Sequence, residues 1–303
     1  MDYLDKLIQF SQIQGRINIQ CRFQGDWQVL HKQEPNLLGI FHIVSQGECY
    51  VHVDDKKFYL YRGDTIFLPQ GTEHHISSIH HNADSAHKEV YATEQGALIL
   101  KHHDTPEYDF EMFCGYFCYQ NTIAPIFQLP SYWVLSSQDV TVSPLLELLQ
   151  QESEQSLGNQ STINALCHVL FTYLMRDYIK KNNAEGILVA LQYQRLYPAV
   201  NAMLMNPEKQ WNMETLAELC AMSRANFIRL FKQKTQYLPG RFLTDLRMQK
   251  AQQLLNNSAK SILAIALEVG YQSEAHFIKT FKSYYGVSPA KFRLQPQQEP
   301  QPE

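Results

Sequence analysis

Thr215-Leu-Ala-Glu-Leu-Cys-Ala-Met-Ser223-Arg-Ala-Asn-Phe-Ile-Arg-Leu-Phe231-Lys and Ile262-Leu-Ala-Ile-Ala-Leu-Glu-Val-Gly270-Tyr-Gln-Ser273-Glu-Ala-His-Phe-Ile-Lys-Thr-Phe281-Lys follow one pattern. Each reads as a short apolar helix, a three-residue turn and a second helix opened by a serine. Such a pair can place two recognition helices in successive major-groove segments on one face of double-stranded DNA. In the first unit Leu216, Ala217 and Leu219 are expected to face the core, with Ala217 small because the helices cross closely there. Met222 fills the turn, Ser223 caps the next helix, and Phe227, Leu230 and Phe231 form its buried face. In the second unit Ser261 caps a helix carrying Ile262, Ile265, Ala266 and Val269; Gly270 supplies the turn, Ser273 the next cap, and Phe277 and Phe281 the core. The stretch 239–255 between them reads as one helix with Pro239 in its first turn. Its Phe242, Leu246, Ala251 and Leu255 can bind the two units together.

The faces left over are the expected reading surface: Arg224, Ala225, Asn226, Ile228 and Arg229 in the first unit, and Glu274, Ala275, His276, Ile278 and Lys279 in the second. Arginine pairs bidentately with guanine, alanine and isoleucine meet a thymine methyl, glutamate accepts from cytosine, and lysine reaches guanine or phosphate. The competing reading of Arg224, Arg229 and Lys279 is as solvated surface charges. The net charge of −4 conceals a basic segment: residues 205–294 carry +7, residues 1–204 carry −9 and the last nine −2. A basic reader beside an acidic, solubilising regulatory part accounts for that split.

Within 303 residues there is room for two domains, and a hydrophobic content of 45% supports packed cores. With no apolar run of about 18 residues and no basic n-region at the start, a membrane span and a secretory signal are not expected, and the chain reads as cytoplasmic. Its six cysteines should then be reduced, and without a Cys-x-x-Cys a zinc ribbon is not expected. Residues 1–13 read as a short amphipathic helix with Leu4, Leu7 and Ile8 on one face. From Ile17 to Gln128 the pattern turns to short alternating runs, as in a sandwich or barrel. Residues 142–156 and 161–181 return to helical spacing; in the latter, Ser161 is the expected N-cap. Its stripe of Ile163, Leu166, Leu170, Tyr173, Leu174 and Tyr178 suits either dimerisation or packing on the strands. The expected fold class is thus α+β: a cupin-like β-barrel sensor (1–135) with flanking helices, a helical linker (136–186) ending in the stretch 180–186, an all-α double helix-turn-helix domain (187–294) and a disordered tail (295–303).

Trp211, Leu216-Ala217, Met222-Ser223, Phe227, Leu230-Phe231-Lys232, Arg247, Ala251, Leu254-Leu255, Ile265-Ala266, Gly270-Tyr271, Phe277, Phe281-Lys282, Gly286, Pro289 and Phe292-Arg293 closely resemble the signature of the AraC/XylS family of transcription regulators over roughly 100 residues. Gln236 departs from it, standing where a glycine is usual after the first recognition helix. Gly63, Pro69, Gly71 and His74 resemble the second motif of the cupin family, with Gly63 and Asp64 opening a turn and His74 pointing into the barrel mouth. More narrowly, Gly15, Cys21, Asp26-Trp27, His31, the stretch to His74, Cys114-Gly115 and Leu149-Gln-Gln-Glu-Ser153 resemble RclR-type regulators that respond to reactive chlorine species. That resemblance implies that Cys21 and Cys114 are redox-sensing and that oxidation activates transcription, with promoter DNA and RNA polymerase as partners and a homodimer as a possible state.

The chemistry is coherent. Electrophilic oxidants convert a thiol to a sulfenic acid or sulfenyl chloride, which a second thiol traps as a disulfide. His31 or His74 nearby would promote the thiolate, and Cys118 is an alternative resolving thiol if 110–119 is a strand. Cys49, Cys167 and Cys220 read as small core hydrophobes. Two alternatives stand beside this reading. One is a regulator gated by a small ligand among Trp27, Phe41, Tyr50, Tyr59, Tyr61 and Phe67. The other is a metal-dependent cupin enzyme. For the latter, Glu34, Pro35 and Asn36 stand where the first-motif histidines belong, leaving His31, His42 and His52 as residues able to converge on His74. The expectation is a non-enzyme with no metal and no cofactor.

Overall fold

A computed structural model describes residues 2–11, 13–33, 38–80, 88–118, 129–138, 142–155, 157–181 and 186–294. Glu34, Pro35, Asn36, much of the 180–186 linker and the 295–303 tail lie outside them. The chain divides into two compact units.

The first unit is built on strands. A seven-stranded sheet runs in the order β11-β6-β3-β10-β1-β9-β8 and a four-stranded sheet in the order β2-β7-β4-β5. The strands are β1 (Gln14–Phe23), β2 (Gln28–His31), β3 (Leu38–Gln46), β4 (Glu48–Val53), β5 (Lys56–Tyr61), β6 (Thr65–Leu68), β7 (His74–Ser77), β8 (Tyr91–Gln95), β9 (Leu98–His102), β10 (Phe110–Cys118) and β11 (Trp133–Leu135). The described strands therefore make two sheets, the sandwich that the alternation allowed, and do not close into the cupin-like β-barrel that was expected. All pairs are antiparallel except β1 with β9. Alternation assigns the faces. Cys49, Val51 and Val53 of β4 point inward to meet Cys21 and Phe23 of β1, Val44 of β3, and Phe110, Met112 and Cys114 of β10.

Helices α2 (Ser143–Ser153) and α3 (Asn159–Lys180) belong to this unit. The ring of Phe171 meets Phe117 edge-on at 5.1 Å, and Tyr178 meets Trp133 at 4.9 Å. The glycine at 15 lets α3 approach: a Cβ there would lie 2.7 Å from that of Cys167. Of the stripe, Ile163, Leu166, Leu170, Leu174 and Tyr178 are buried in the single chain and Tyr173 is half-buried, which favours the packing alternative. The N-cap of α3 is Gly158, with φ 77°, and not Ser161, which sits inside the first turn.

The second unit is helical. It holds α1 (Tyr3–Ser11), α4 (Ile187–Gln192), α5 (Tyr197–Met205), α6 (Met213–Leu219), α7 (Arg224–Thr235), α8 (Pro239–Asn257), α9 (Ile262–Glu268), α10 (Glu274–Tyr285) and α11 (Pro289–Arg293). Helix α1 buries Leu4 and Leu7 and sets Tyr3 against Tyr197 of α5. Helix α8 lies between the pairs α6–α7 and α9–α10. Its Phe242 ring lies near Phe231 of α7, while Met248, Ala251 and Leu255 join Ile265, Ala266, Phe277 and Phe281.

A polar seam adds to this apolar contact. Arg247 of α8 donates to the carbonyls of Pro207 and Lys209, Gln210 donates to the carbonyl of Gly270, and Lys250 pairs with Glu208 at 3.0 Å. The turn of the second helix pair is thereby fastened to the segment that leads into the first. Gly270 is required twice over. Its φ is +91°, and a Cβ would stand 2.4 Å from the Glu208 carbonyl oxygen. The corresponding turn residue of the first pair, Ala221, adopts φ 51°. Gly270→Ala is expected to cost at least about 2 kcal/mol, since the left-handed backbone alone costs roughly 1–2. A fall in the urea midpoint read by helical circular dichroism checks this; an unchanged midpoint would refute the close-approach argument.

Candidate functional site

The helices of each pair are opened by side-chain caps. Ser223 Oγ accepts from the Asn226 amide at 3.4 Å and Ser273 Oγ from the His276 amide at 3.4 Å, so both helices start where the serines dictate. The first helix of each pair is capped in the same way, by Asn212 and Ser261. Buried Phe227, Phe231, Phe277 and Phe281 turn the opposite faces outward. Arg224, Ala225, Arg229, Ala275, His276 and Lys279 are exposed; Asn226, Ile228, Glu274 and Ile278 are half-buried. Arg229 is oriented by Asn226 Oδ1 at 2.9 Å, and Arg224 is paired with Glu214 at 2.8 Å. Leu219, expected in the core, is 43% exposed, because the helix ends at that residue and the chain turns away. Gln236 takes the same left-handed cap conformation (φ 58°) as Gly286 (φ 77°) at the end of α10, so the missing glycine leaves the cap geometry intact.

In the strand unit, ladder register decides what meets. Cys21 stands opposite Met112 and Ile19 opposite Cys114, so Cys21 and Cys114 are diagonal neighbours on the inner face of β1 and β10. Their thiols are close enough to act on one another. Both side chains are almost wholly buried and all six cysteines are thiols. Burial pushes the Cys114 thiol well above its ordinary range, the Cys21 thiol adds to the effect, and the Lys101 ammonium opposes it. Cys118 shares its face but lies four residues along the strand, roughly 13 Å away, beyond disulfide reach. Cys49 and Cys167 are core thiols, each pushed up to about 12 chiefly by burial.

His42 of β3 stands directly opposite Cys114. His31 of β2 stands opposite His74 of β7. These three histidines come together, with ligand atoms within 4.8 Å of one another. His52, the fourth residue considered, is elsewhere, stacked on His75 at 4.1 Å. Burial lowers His31 to about 3, His74 to about 4 and His42 well below the usual range, so all three are neutral at physiological pH. They are not the cations expected to stabilise a thiolate. The cation acting on Cys114 is Lys101, which faces Cys21 across β9 and β1.

Two domain families match the chain. Residues 2–180 match the Cupin family and residues 216–295 the helix-turn-helix domain. Over 97% of this chain and 98% of the relative, it is 46% identical to an uncharacterized HTH-type transcriptional regulator of Haemophilus influenzae. It is 32% identical to the HTH-type transcriptional regulator MtrA of Neisseria gonorrhoeae, covering 97% and 98%. The chain is an AraC-family transcriptional regulator with an N-terminal cupin domain. A further relative, the RCS-specific HTH-type transcriptional activator RclR of Escherichia coli, is 29% identical over 97% of each chain. The regulator binds DNA through its helix-turn-helix part. No described helix is long and apolar enough to cross a membrane.

A buried carboxylate that composition does not reveal ties the cupin sheet of this regulator to α2. Glu111 of β10 accepts from Gln20 and Arg22 of β1, each at 2.9 Å, from Ser45 of β3 at 2.6 Å and from Gln150 of α2 at 3.0 Å. Burial alone would push its carboxyl up, but the hydrogen bonds from Ser45, Gln150 and Arg22 with the Arg22 charge outweigh it and hold it below the ordinary 4.5. A carboxyl depressed in the folded state contributes stability above its unfolded pKa and loses it as pH falls through the folded value. The cupin unit should therefore weaken as pH drops below about 4.5. Glu111→Gln should flatten that slope and cost about 1–3 kcal/mol at neutral pH. Thermal unfolding across pH 3–7, on the order of the window set by that shift, measures both; an unaltered slope would exclude Glu111 as its source.

Proposed function

We propose that the regulator is an activator that reads its operator with both helix pairs and is switched by oxidation of Cys21 and Cys114 to a disulfide. The observation that carries the switch is the placement of these two buried thiols as diagonal neighbours across β1 and β10. The name of the relative from Escherichia coli supplies the class of signal, a reactive chlorine species. Hypochlorous acid is small and neutral, suited to a dry interior. One thiol attacks its chlorine, giving a sulfenyl chloride and water. The second thiol attacks that sulfur; the S–S bond forms, chloride leaves, and a proton is released. The two-electron oxidation of the thiols balances the reduction of the oxidant to chloride.

The geometry supplies a signal as well. Diagonal ladder neighbours have Cα atoms about 7–8 Å apart, whereas a disulfide prefers at most ~6.8 Å. Closing the bond draws β1 and β10 together by roughly 1 Å, in a core too dense to absorb it locally. The change passes to the DNA-reading part, which then engages RNA polymerase at the promoter.

Thiol mapping by mass spectrometry before and after stoichiometric hypochlorous acid, with transcription assayed on the same samples, tests the switch. The expected result is a Cys21–Cys114 disulfide that tracks activation, both lost in Cys21→Ser and Cys114→Ser. A response that survives the double substitution would sink the redox reading and point to a small ligand between the sheets. For DNA reading, Arg229→Ala should weaken operator binding by about 1–3 kcal/mol, roughly 5- to 150-fold. The urea midpoint should not move, because the side chain is exposed. Unchanged operator affinity would remove Arg229 from the reading surface.

A further inference from the structure

We propose that His31, His42 and His74 form a binding site for one divalent transition-metal ion of the zinc class, held by three imidazole nitrogens between the two sheets. The donors come from β2, β3 and β7, and no carboxylate or thiol belongs to the cluster among the described residues.

The hydrogen bonding is what a ligand set has before its ion arrives. His74 Nδ1 lies 2.8 Å from the Thr72 carbonyl oxygen, which can only accept, so Nδ1 carries the proton. Its Nε2 lone pair is thereby aimed inward, the orientation that an outer hydrogen bond imposes on metal-binding histidines. His42 Nε2, 2.8 Å from that lone pair, must donate to it, which leaves His42 Nδ1 bare. His42 Nδ1 and His31 Nε2 are both buried without a hydrogen-bond partner. The His42–His74 hydrogen bond is thus the one pairing among the inward-facing nitrogens, and each orphaned polar atom costs on the order of 1–3 kcal/mol. An ion that accepts three lone pairs frees His42 Nε2 of its proton, moves that proton to Nδ1, and gives His31 a partner.

The dimensions are close. A tetrahedral zinc with nitrogen ligands at about 2.0–2.1 Å needs nitrogens roughly 3.3–3.4 Å apart. Here they are separated by 2.8 Å at the closest measured pair and by no more than 4.8 Å. Half-buried His31, at the end of β2, is the ring with room to close the gap. Three neutral nitrogens select zinc, copper, nickel or iron over magnesium or calcium, and leave a fourth position for water or a small anion. Lys101 opposes the ion, since its charge acts on both His31 and His42. That opposition provides a variant whose expected effect is a gain.

The untagged full-length chain, stripped with chelator and kept reduced with a phosphine, is titrated with zinc by calorimetry and then with cobalt(II) by absorbance. Expected are one equivalent of zinc and the visible bands of four-coordinate cobalt without a thiolate charge-transfer band. His42→Gln and His74→Gln should each weaken binding at least ~100-fold, beyond the loss typical of outer-shell changes. Lys101→Met should tighten it several-fold with the fold unperturbed, so the test does not hang on variants that fail to fold. Absence of binding, binding retained by the two glutamine variants, a thiolate band, or no gain in Lys101→Met would each overturn the site. None of these readouts depends on thiol oxidation, so this site and the disulfide switch stand or fall separately.

Discussion

Strand β10 is the constraint on which the cupin unit depends. It is hydrogen-bonded along both edges, to β1 and β3, and eight of its nine residues are buried. A strand so placed has no solvent face to absorb change. Cys114 looks to the inner sheet, Phe117 looks to the helical layer through Phe171, and Glu111 collects hydrogen bonds from β1, β3 and α2. At Gly115 even a methyl group would collide, 2.2 Å from the Arg16 carbonyl oxygen. A displacement such as the proposed disulfide would cause at the inner face would find no loosely packed layer in which to dissipate.

The second physical theme is the choice of neutral over charged groups in that interior. Desolvation disfavours the charged form of imidazole and thiol alike, so the histidines are held neutral and Cys114 is held protonated. On the two proposals, chemistry in this core begins with a reagent that needs no charge to enter, or with an ion that brings its own. The Lys101 side chain is the counterweight, pulling the Cys114 thiol down while pushing the histidine pair up in energy as cations.

The helical half was the more legible in sequence because its determinants are local. Serine caps, small residues at the helix crossing and phenylalanines at helical spacing act within a few residues of one another, and Ser223, Ala217 and Phe227 took the places they were assigned. The error there came at a helix end, at Leu219, as did the one at Ser161 in the sensor's α3, where one turn of helix decides burial or capping. The sensor was legible as the alternating strands of a sandwich or barrel, and of the four histidines read as able to converge, His31, His42 and His74 do so while His52 does not. His31, His42 and His74 lie on three strands, and what joins them is register between strands distant in sequence. A spacing rule built on His-x-His does not see such a set. Glu111, Lys101 and the seam of Arg247 and Gln210 are long-range in the same sense.

The seam has a consequence of scale. Because the turn at Gly270 is fastened to the segment before α6 and both helix pairs grip α8, the two recognition helices form one rigid gauge. Each base pair inserted into a duplex advances the next groove by about 3.4 Å and turns it by roughly 34–36°. A gauge without a hinge cannot follow that rotation. On the proposed reading by both helix pairs, the distance between two stretches of contacted bases becomes as much a part of the recognised sequence as the bases themselves, read without a side chain touching the pairs in between.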